Sequence, residues 1–310
     1  MIAPEGILCY NCRMISISKF AVSAAAVTAV ALTRSQYERK HFETKIYTVE
    51  FSALPKVFDG FGIVFLTDLH NNSFGQDNKL LLRAIDGLYP DIVAIGGDMM
   101  VAKGQRSLEV PLHLAKALSE KYPVYYGLGN HEHRMDRERR VYGEQYDLYM
   151  DQIERMGIPI LRNRSEYVER KGQRIRITGL DLSRKYYRKV GKRPMDQAYL
   201  RRTLGEGHGP EIHILLAHSP LYFKEYVRWG ADLVLAGHFH GGTICLPRLG
   251  GVMTPNYMFF PEYDRGLFDE GESRMVLSAG LGTHSVNIRL NNRPQLILIK
   301  LRRKVSANAF

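Results

Sequence analysis

Cysteine and tryptophan are scarce: the 310 residues hold three of the first and one of the second. Three cysteines cannot build a disulfide framework. Cys9 and Cys12 form a lone C-x-x-C with no second pair to complete a zinc site, so they read as tail residues. Cys245 reads as core. Acid is also short. Lys and Arg number 43 against 32 Asp and Glu, a formal charge of +11. That surplus draws an anionic partner: nucleic acid, an acidic lipid surface, a cell-wall polymer or a phosphorylated substrate. Yet the body of the chain has no compact basic run with interleaved aromatics, which argues against a nucleic-acid partner. The densest cluster, from Arg184 to Arg193, reads as a solvated loop. A hydrophobic fraction of 45% excludes a disordered chain.

Long apolar runs are missing except for one near the start. Residues 20–32 read FAVSAAAVTAVAL, and counting back to Ile15 gives about 18 residues interrupted by Lys19. This run has no polar face, and its length is at the short end for a bilayer span. Two readings follow: a signal peptide with Ala29-Val30-Ala31 as its cleavage site, or an uncleaved anchor. Met14 offers a second possible start. Both readings predict a membrane-associated or exported protein. Basic residues lie on either side, so orientation stays open. Residues 36–44 read as a linker or short helix.

After that the chain alternates. Short apolar runs of strand length recur at 46–51, 63–66, 91–95, 124–128, 158–161, 212–217 and 233–236. Helical spacing fills 79–88, 108–121 and 142–156. Residues 167–168 and 174–178 read as an antiparallel pair, and 275–279, 285–289 and 295–301 are strand-like. The pattern predicts one α/β domain with buried strands and helices on both faces.

The informative residues sit where those runs stop. Five runs close in Asp68-x-His70, Gly97-Asp98, Asn130-His131, His218 and His238-x-His240. In open α/β folds, loops at the carboxyl ends of strands converge above the sheet and form sites there. Asp, His and Asn suit borderline metals such as zinc, manganese and iron. Each motif alone is weak, since an Asp after a strand is often a helix cap. Their joint position is not.

The ordered set T-D-L-H (67–70), G-G-D (96–98), G-N-H-E (129–132), A-H-S-P (217–220) and G-H-F-H-G-G (237–242) closely resembles the calcineurin-like metallophosphoesterases. The likeness spans residues 46–301 and is strongest to bacterial membrane-anchored or exported phosphoesterases. It implies an α/β sandwich of two mixed β-sheets flanked by helices, with a dinuclear metal site at the carboxyl ends of the strands. Residues 1–45 would be an N-terminal tail carrying the hydrophobic segment and a linker, and residues 46–310 the catalytic domain.

By the same resemblance, Asp68, His70 and His240 would hold one divalent ion (Mn, Fe or Zn), and Asn130, His218 and His238 a second. Asp98 would bridge the two. His131 would sit over the phosphate, protonating the leaving group or stabilising charge, while Glu132 would be a supporting or structural residue. Two ions so placed generate a hydroxide that attacks phosphorus in line. The implied activity is hydrolysis of a phosphodiester or pyrophosphate, with lipid-linked phosphates and acylated nucleotide sugars among the substrates the resemblance admits.

Two other readings use the same fold. One is a metal-binding scaffold without turnover, disfavoured because every ligand is present; the other is a nuclease, suggested by the charge. Outside the motifs, His41, His113, His133, His208 and His213 read as structural or solvent-exposed. His284 reads as a residue of the substrate cleft. No feature specifies an oligomeric state.

Overall fold

The computed structural model describes residues 6–104, 107–188, 191–255, 257–283 and 287–304, with side chains from residue 21 onward. Thirteen strands are present among them. They are β1 (Glu43–Phe51), β2 (Gly62–Leu66), β3 (Ile92–Ile95), β4 (Val124–Tyr126), β5 (Arg164–Arg170), β6 (Gln173–Leu180) and β7 (His213–Ala217). Then follow β8 (Leu233–Ala236), β9 (Cys245–Leu246), β10 (Gly250–Gly251), β11 (Gly266–Glu270), β12 (Ser273–Leu277) and β13 (Gln295–Arg303). Five form one mixed sheet in the order β1-β13-β2-β3-β4. Six form a second in the order β11-β12-β8-β7-β6-β5, and β9 pairs with β10.

Within the first sheet β2, β3 and β4 are parallel neighbours. In the second, β6, β7, β8 and β12 run parallel. The central strands β2, β3 and β8 are apolar and buried throughout, because strands covered on both faces need no polar alternation. The period of two then sorts the side chains. Ile63 and Phe65 of β2 turn inward with Ile92 and Ala94 of β3. They meet Ile214 and Leu216 of β7, and Leu233 and Leu235 of β8, in a core between the sheets.

The alternate residues face helices. Val64, Leu66, Val93 and Ile95 pack under α2 (Lys79–Asp86), α3 (Glu109–Ser119) and α6 (Gln145–Arg155). The outer face of the second sheet is covered by α7 (Gln197–Leu204) and α8 (Phe223–Trp229). The result is four layers, helix–sheet–sheet–helix, with both sheets mixed as the resemblance implied.

At the start lies α1 (Gly6–Lys40). Its apolar stretch is built of small residues, and hydroxyls interrupt it: Thr28 and Thr33 donate to the carbonyls four residues back. Arg34, Glu38, Arg39 and Lys40 follow on the same helix. Among the described residues no helix is long and apolar enough to cross a membrane. This corrects the expectation of a membrane-associated or exported protein drawn from residues 15–32. The apolar part between Lys19 and Arg34 is only the 13 residues of 20–32, short of the roughly 20 that a span needs.

The last turns of α1 are not a free linker. Ser35 and Glu38 are buried. Ser35 Oγ accepts from Arg289 N at 3.0 Å, and Glu38 Oε2 from Asn292 N at 3.0 Å. The side chains of Cys9 and Cys12 lie outside the described residues, as do His284 and part of the strand expected at 285–289. The run at 158–161 contributes a single bridge, Ile160 to Tyr126, rather than a strand.

Candidate metal centre

The loops that follow the parallel strands meet at one end of the two sheets. Those after β2, β3 and β4 bring Asp68, His70, Asp98 and Asn130 from the first sheet. The loops after β7 and β8 bring His218, His238 and His240 from the second. Backbone geometry fits the residue types. Asp68, His70, Asp98, His238 and His240 all hold positive φ, between 48° and 71°, a region that Asn, Asp and His tolerate better than most side chains. Gly97 is required for another reason. A Cβ there would collide with Gly129 N, so the loops after β3 and β4 touch backbone to backbone.

The side chains converge. Asp68 Oδ1 lies 3.4 Å from His240 Nε2 and 3.7 Å from the Nε2 atoms of His70 and His218. Asp98 Oδ2 lies 3.2 Å from His218 Nε2 and 3.9 Å from those of His70 and His131. Three overlapping groups could each hold an ion: Asp68, His70 and His240; Asp98, His218 and His238; and His70, Asp98 and His131.

Second partners fix the rings. His218 Nδ1 faces Gly96 O at 2.8 Å, and His70 Nδ1 faces Met100 O at 3.4 Å. A nitrogen that donates to a carbonyl leaves its opposite number free to present a lone pair, the arrangement metal-bound histidines use. Asp98 Oδ1 accepts from His131 N at 2.7 Å. Its Oδ2, buried, has no aligned donor, and neither has Asn130 Oδ1. Buried acceptors without donors are rare, and a cation between them would satisfy both. The residues present therefore fit a metal.

Electrostatics agree. Burial opposes ionisation of Asp68, yet His240, His218 and the hydrogen bond from His70 outweigh it and hold the carboxyl far below its usual range. Asp98 is held down against burial by His218 and His131. Burial pushes His218 the other way, but Asp98 and Asp68 lift it to about 10. Two buried carboxylates thus demand positive charge, and a divalent ion would compete for it with histidine protons.

Glu132 is the support beneath. Its Oε2 accepts from Asp98 N at 2.9 Å and Gly129 N at 3.0 Å. Its Oε1 accepts from Met99 N and from Tyr126 Oη, both at 3.0 Å. One carboxylate ties the loop after β3 to the start of α4 (Asn130–Arg137). Burial, then the Asp98 charge, pushes the Glu132 pKa up.

A cleft of about 550 Å³ opens over the cluster, lined by Asn130, His131, His238 and His240. One wall is basic, with Arg134, Arg137 and Arg184; the other is apolar, with Met253, Pro255, Tyr257 and Ile288. Arg184, paired with Glu138 at 3.1 Å, is exposed as expected of a solvated loop, and it lines the cleft. So does His133, expected to be structural or exposed. His213 is a core residue, 1% exposed. Sequence reasoning also missed Arg289. Its buried guanidinium donates to the carbonyls of Ala279 and Gly282, beneath the glycine loop that abuts Asp68.

Two mixed sheets in four layers, with a His/Asp/Asn cluster at the strand ends, define the class of metal-dependent phosphoester hydrolases. The chain belongs to the calcineurin-like phosphoesterase family, whose sequence model matches residues 61–242. It is 26% identical over 263 residues to the uncharacterized metallophosphoesterase YkuE of Bacillus subtilis, covering 83% of this chain and 84% of that one. It is 27% identical over 247 residues to the phosphodiesterase YaeI of Escherichia coli, covering 78% and 82%. A solved structure, the phosphopantetheinyl hydrolase of Mycobacterium tuberculosis, matches with a TM-score of 0.42 at 14% identity, covering 71% of this chain and 89% of that one.

Proposed function

We propose that residues 46–310 form a dinuclear metal-dependent phosphodiesterase or pyrophosphatase. The observation that carries this reading is Asp98, which groups with His70 on one side and with His218 and His238 on the other, and whose Oδ2 is buried without an aligned donor. Asp68, His70 and His240 would hold one ion, and Asn130, His218 and His238 the other, with Asp98 available to both. Two divalent ions of the manganese, iron or zinc type supply, when bound, charge neutralisation at the phosphoryl group and a more acidic attacking water.

The chain's own residues do the rest. His131 Nδ1 accepts from Ala102 N at 2.7 Å, so the neutral ring carries its proton on Nε2, the atom that faces Asp98. From there it donates to a phosphoryl oxygen. Of the two roles expected for His131, charge stabilisation is the one this bond favours, because a second proton at Nδ1 would oppose the Ala102 amide. The arginine wall attracts the anionic substrate. The apolar wall accepts a hydrophobic substituent, which favours a diester with an acyl or aromatic group over a small phosphomonoester.

The test is hydrolysis by the full chain, stripped with chelator and reloaded with Mn²⁺, Fe²⁺ or Zn²⁺. Substrates are bis(p-nitrophenyl) phosphate, p-nitrophenyl phosphate, an acylated nucleotide sugar and single-stranded DNA. Metal-dependent turnover of diesters or the pyrophosphate over the monoester supports the reading. Two bound ions with no turnover on any ester would make the chain a scaffold, and preference for single-stranded DNA would make it a nuclease.

A further inference from the structure

One histidine in the cleft is not used by that reading. His133 stands on α4 one turn beyond Asn130 (i, i+3), on the same side of the helix. It lines the cleft with Asn130, His131, His238 and His240. Its Nδ1 meets Asp181 Oδ1 at 2.8 Å, with both side chains buried. Asp181 is itself fixed: its Oδ2 accepts from Arg162 Nε at 3.0 Å, and its backbone N–H donates to Asn163 Oδ1 at 2.8 Å. The opposite nitrogen, Nε2, makes no hydrogen bond with the described residues.

The two histidines of this helix are thus held in opposite senses. A backbone N–H donates to Nδ1 of His131, so that ring gains a second proton only by losing a buried hydrogen bond. A carboxylate accepts from Nδ1 of His133, so a proton can be added at Nε2 of that ring without breaking any hydrogen bond it makes. A neutral imidazole that gives up its last proton is a poor acid; an imidazolium is a good one. Position agrees as well. One helical turn, about 5.4 Å, separates His133 from the Asn130 level, and Arg134 and Arg137 of the same helix line the cleft with it.

We infer that His133, oriented by Asp181, is the residue that protonates the leaving group, while His131 stabilises charge on the phosphoryl oxygens. The inference rests on the hydrolase reading above. In the step, water adds to phosphorus through its oxygen, and the bond from phosphorus to the leaving oxygen breaks with its electron pair on that oxygen. The proton on His133 Nε2 passes to it, and the proton shed by the attacking water returns through solvent to His133. No co-reactant is consumed.

The test uses the full chain loaded with Mn²⁺ and two diesters. Bis(p-nitrophenyl) phosphate releases a stable anion that needs no proton, whereas a glycerophosphodiester releases an alkoxide that does. His133→Asn should lower kcat on the alkyl diester by about 10²–10³-fold and on the nitrophenyl diester by less than about threefold, with metal content unchanged. Asp181→Asn should act in the same direction, and the double variant should be no slower than His133→Asn alone. If His133→Asn folds poorly, His133→Gln replaces it.

Imidazole ¹⁵N NMR provides a second readout that requires no turnover. His131 should show its proton on Nε2, and His133 a protonated Nδ1. Equal losses on the two diesters, or a His131 protonated at Nδ1, would overturn the inference and leave the hydrolase reading standing. A wild type that hydrolyses neither diester overturns both.

Discussion

Replacing Glu132 by glutamine tests whether one buried carboxylate holds the two ligand loops together. Its four hydrogen bonds come from four donors and no acceptor, two to each oxygen. An amide offers acceptor capacity at one end only. The less costly orientation puts the NH₂ where Oε1 was, because Tyr126 Oη can then accept from it and donate to Tyr149 Oη, 3.1 Å away. Met99 N is left facing a donor. One orphaned buried amide costs about 1–3 kcal/mol, and losing the charge on the two remaining bonds removes about 1 kcal/mol more. Part of this is returned, since the variant no longer buries a charge beside Asp98. The expected net loss is about 2–3 kcal/mol, or about 3–5 °C in melting temperature for a chain of this size. Glu132→Ala orphans all three amides and should lose about twice as much. The assay is thermal and urea unfolding of chelated protein, so that ion binding does not mask the difference. The reasoning fails if Glu132→Gln melts within a degree of wild type, or if Gln and Ala variants are indistinguishable.

Asp98→Asn should remove one or both ions and nearly all hydrolysis, since it deletes the anion both ions would share; elemental analysis finding two ions with a normal rate would end the dinuclear assignment. His238→Ala or His240→Ala should lose metal and slow activated and alkyl esters alike. Glu38→Ala should weaken metal binding from a distance, by freeing Asn292, whose side chain donates to His240 O at 2.7 Å. Glu38→Gln keeps an oxygen for Asn292 N and should stay within about 1 kcal/mol of wild type, which an unfolding titration would check. His213 brings a pH dependence: burial, then Arg176, depresses its pKa to about 3. The unfolded chain therefore takes up this proton first, and stability falls as pH drops from about 6.5 toward 3, by about 2 kcal/mol between pH 7 and 5. Chelated His213→Gln should lack that share of the acid slope.

The ligand motifs were legible because their signals are local: an apolar run, then glycine, then Asp, His or Asn. The core strands were legible for the same reason. What escaped depended on distant partners. α4 reads NHEHRMDR, with almost no apolar period, so nothing in it announces a helix that faces a cleft. His133 finds Asp181 48 residues away. Glu38 looks like linker charge until Asn292 is placed beside it. β11 was missed because it is a half-exposed edge strand, paired on one side only. The run at 158–161 was apolar because it is buried, not because it extends a sheet.

The division of the cluster between the sheets bears on the order in which the protein matures. The first sheet's loops, complete by Asn130, supply Asp68, His70, Asp98 and Asn130; the histidines at 218, 238 and 240 arrive only after a further 88 residues of chain, counting from Asn130 to His218. The first sheet is itself unfinished until β13 (Gln295–Arg303), which lies between β1 and β2, has been made, so its half of the cluster does not sit on a complete sheet before the last strand is synthesised. A nascent chain cannot close a metal centre of this design until its second sheet has docked. On the dinuclear reading, ion capture would be a late event, and a chain stalled or clipped before residue 240 would lack at least His240 among the proposed ligands. Metal content per folded molecule would report how many chains were finished, independently of any substrate.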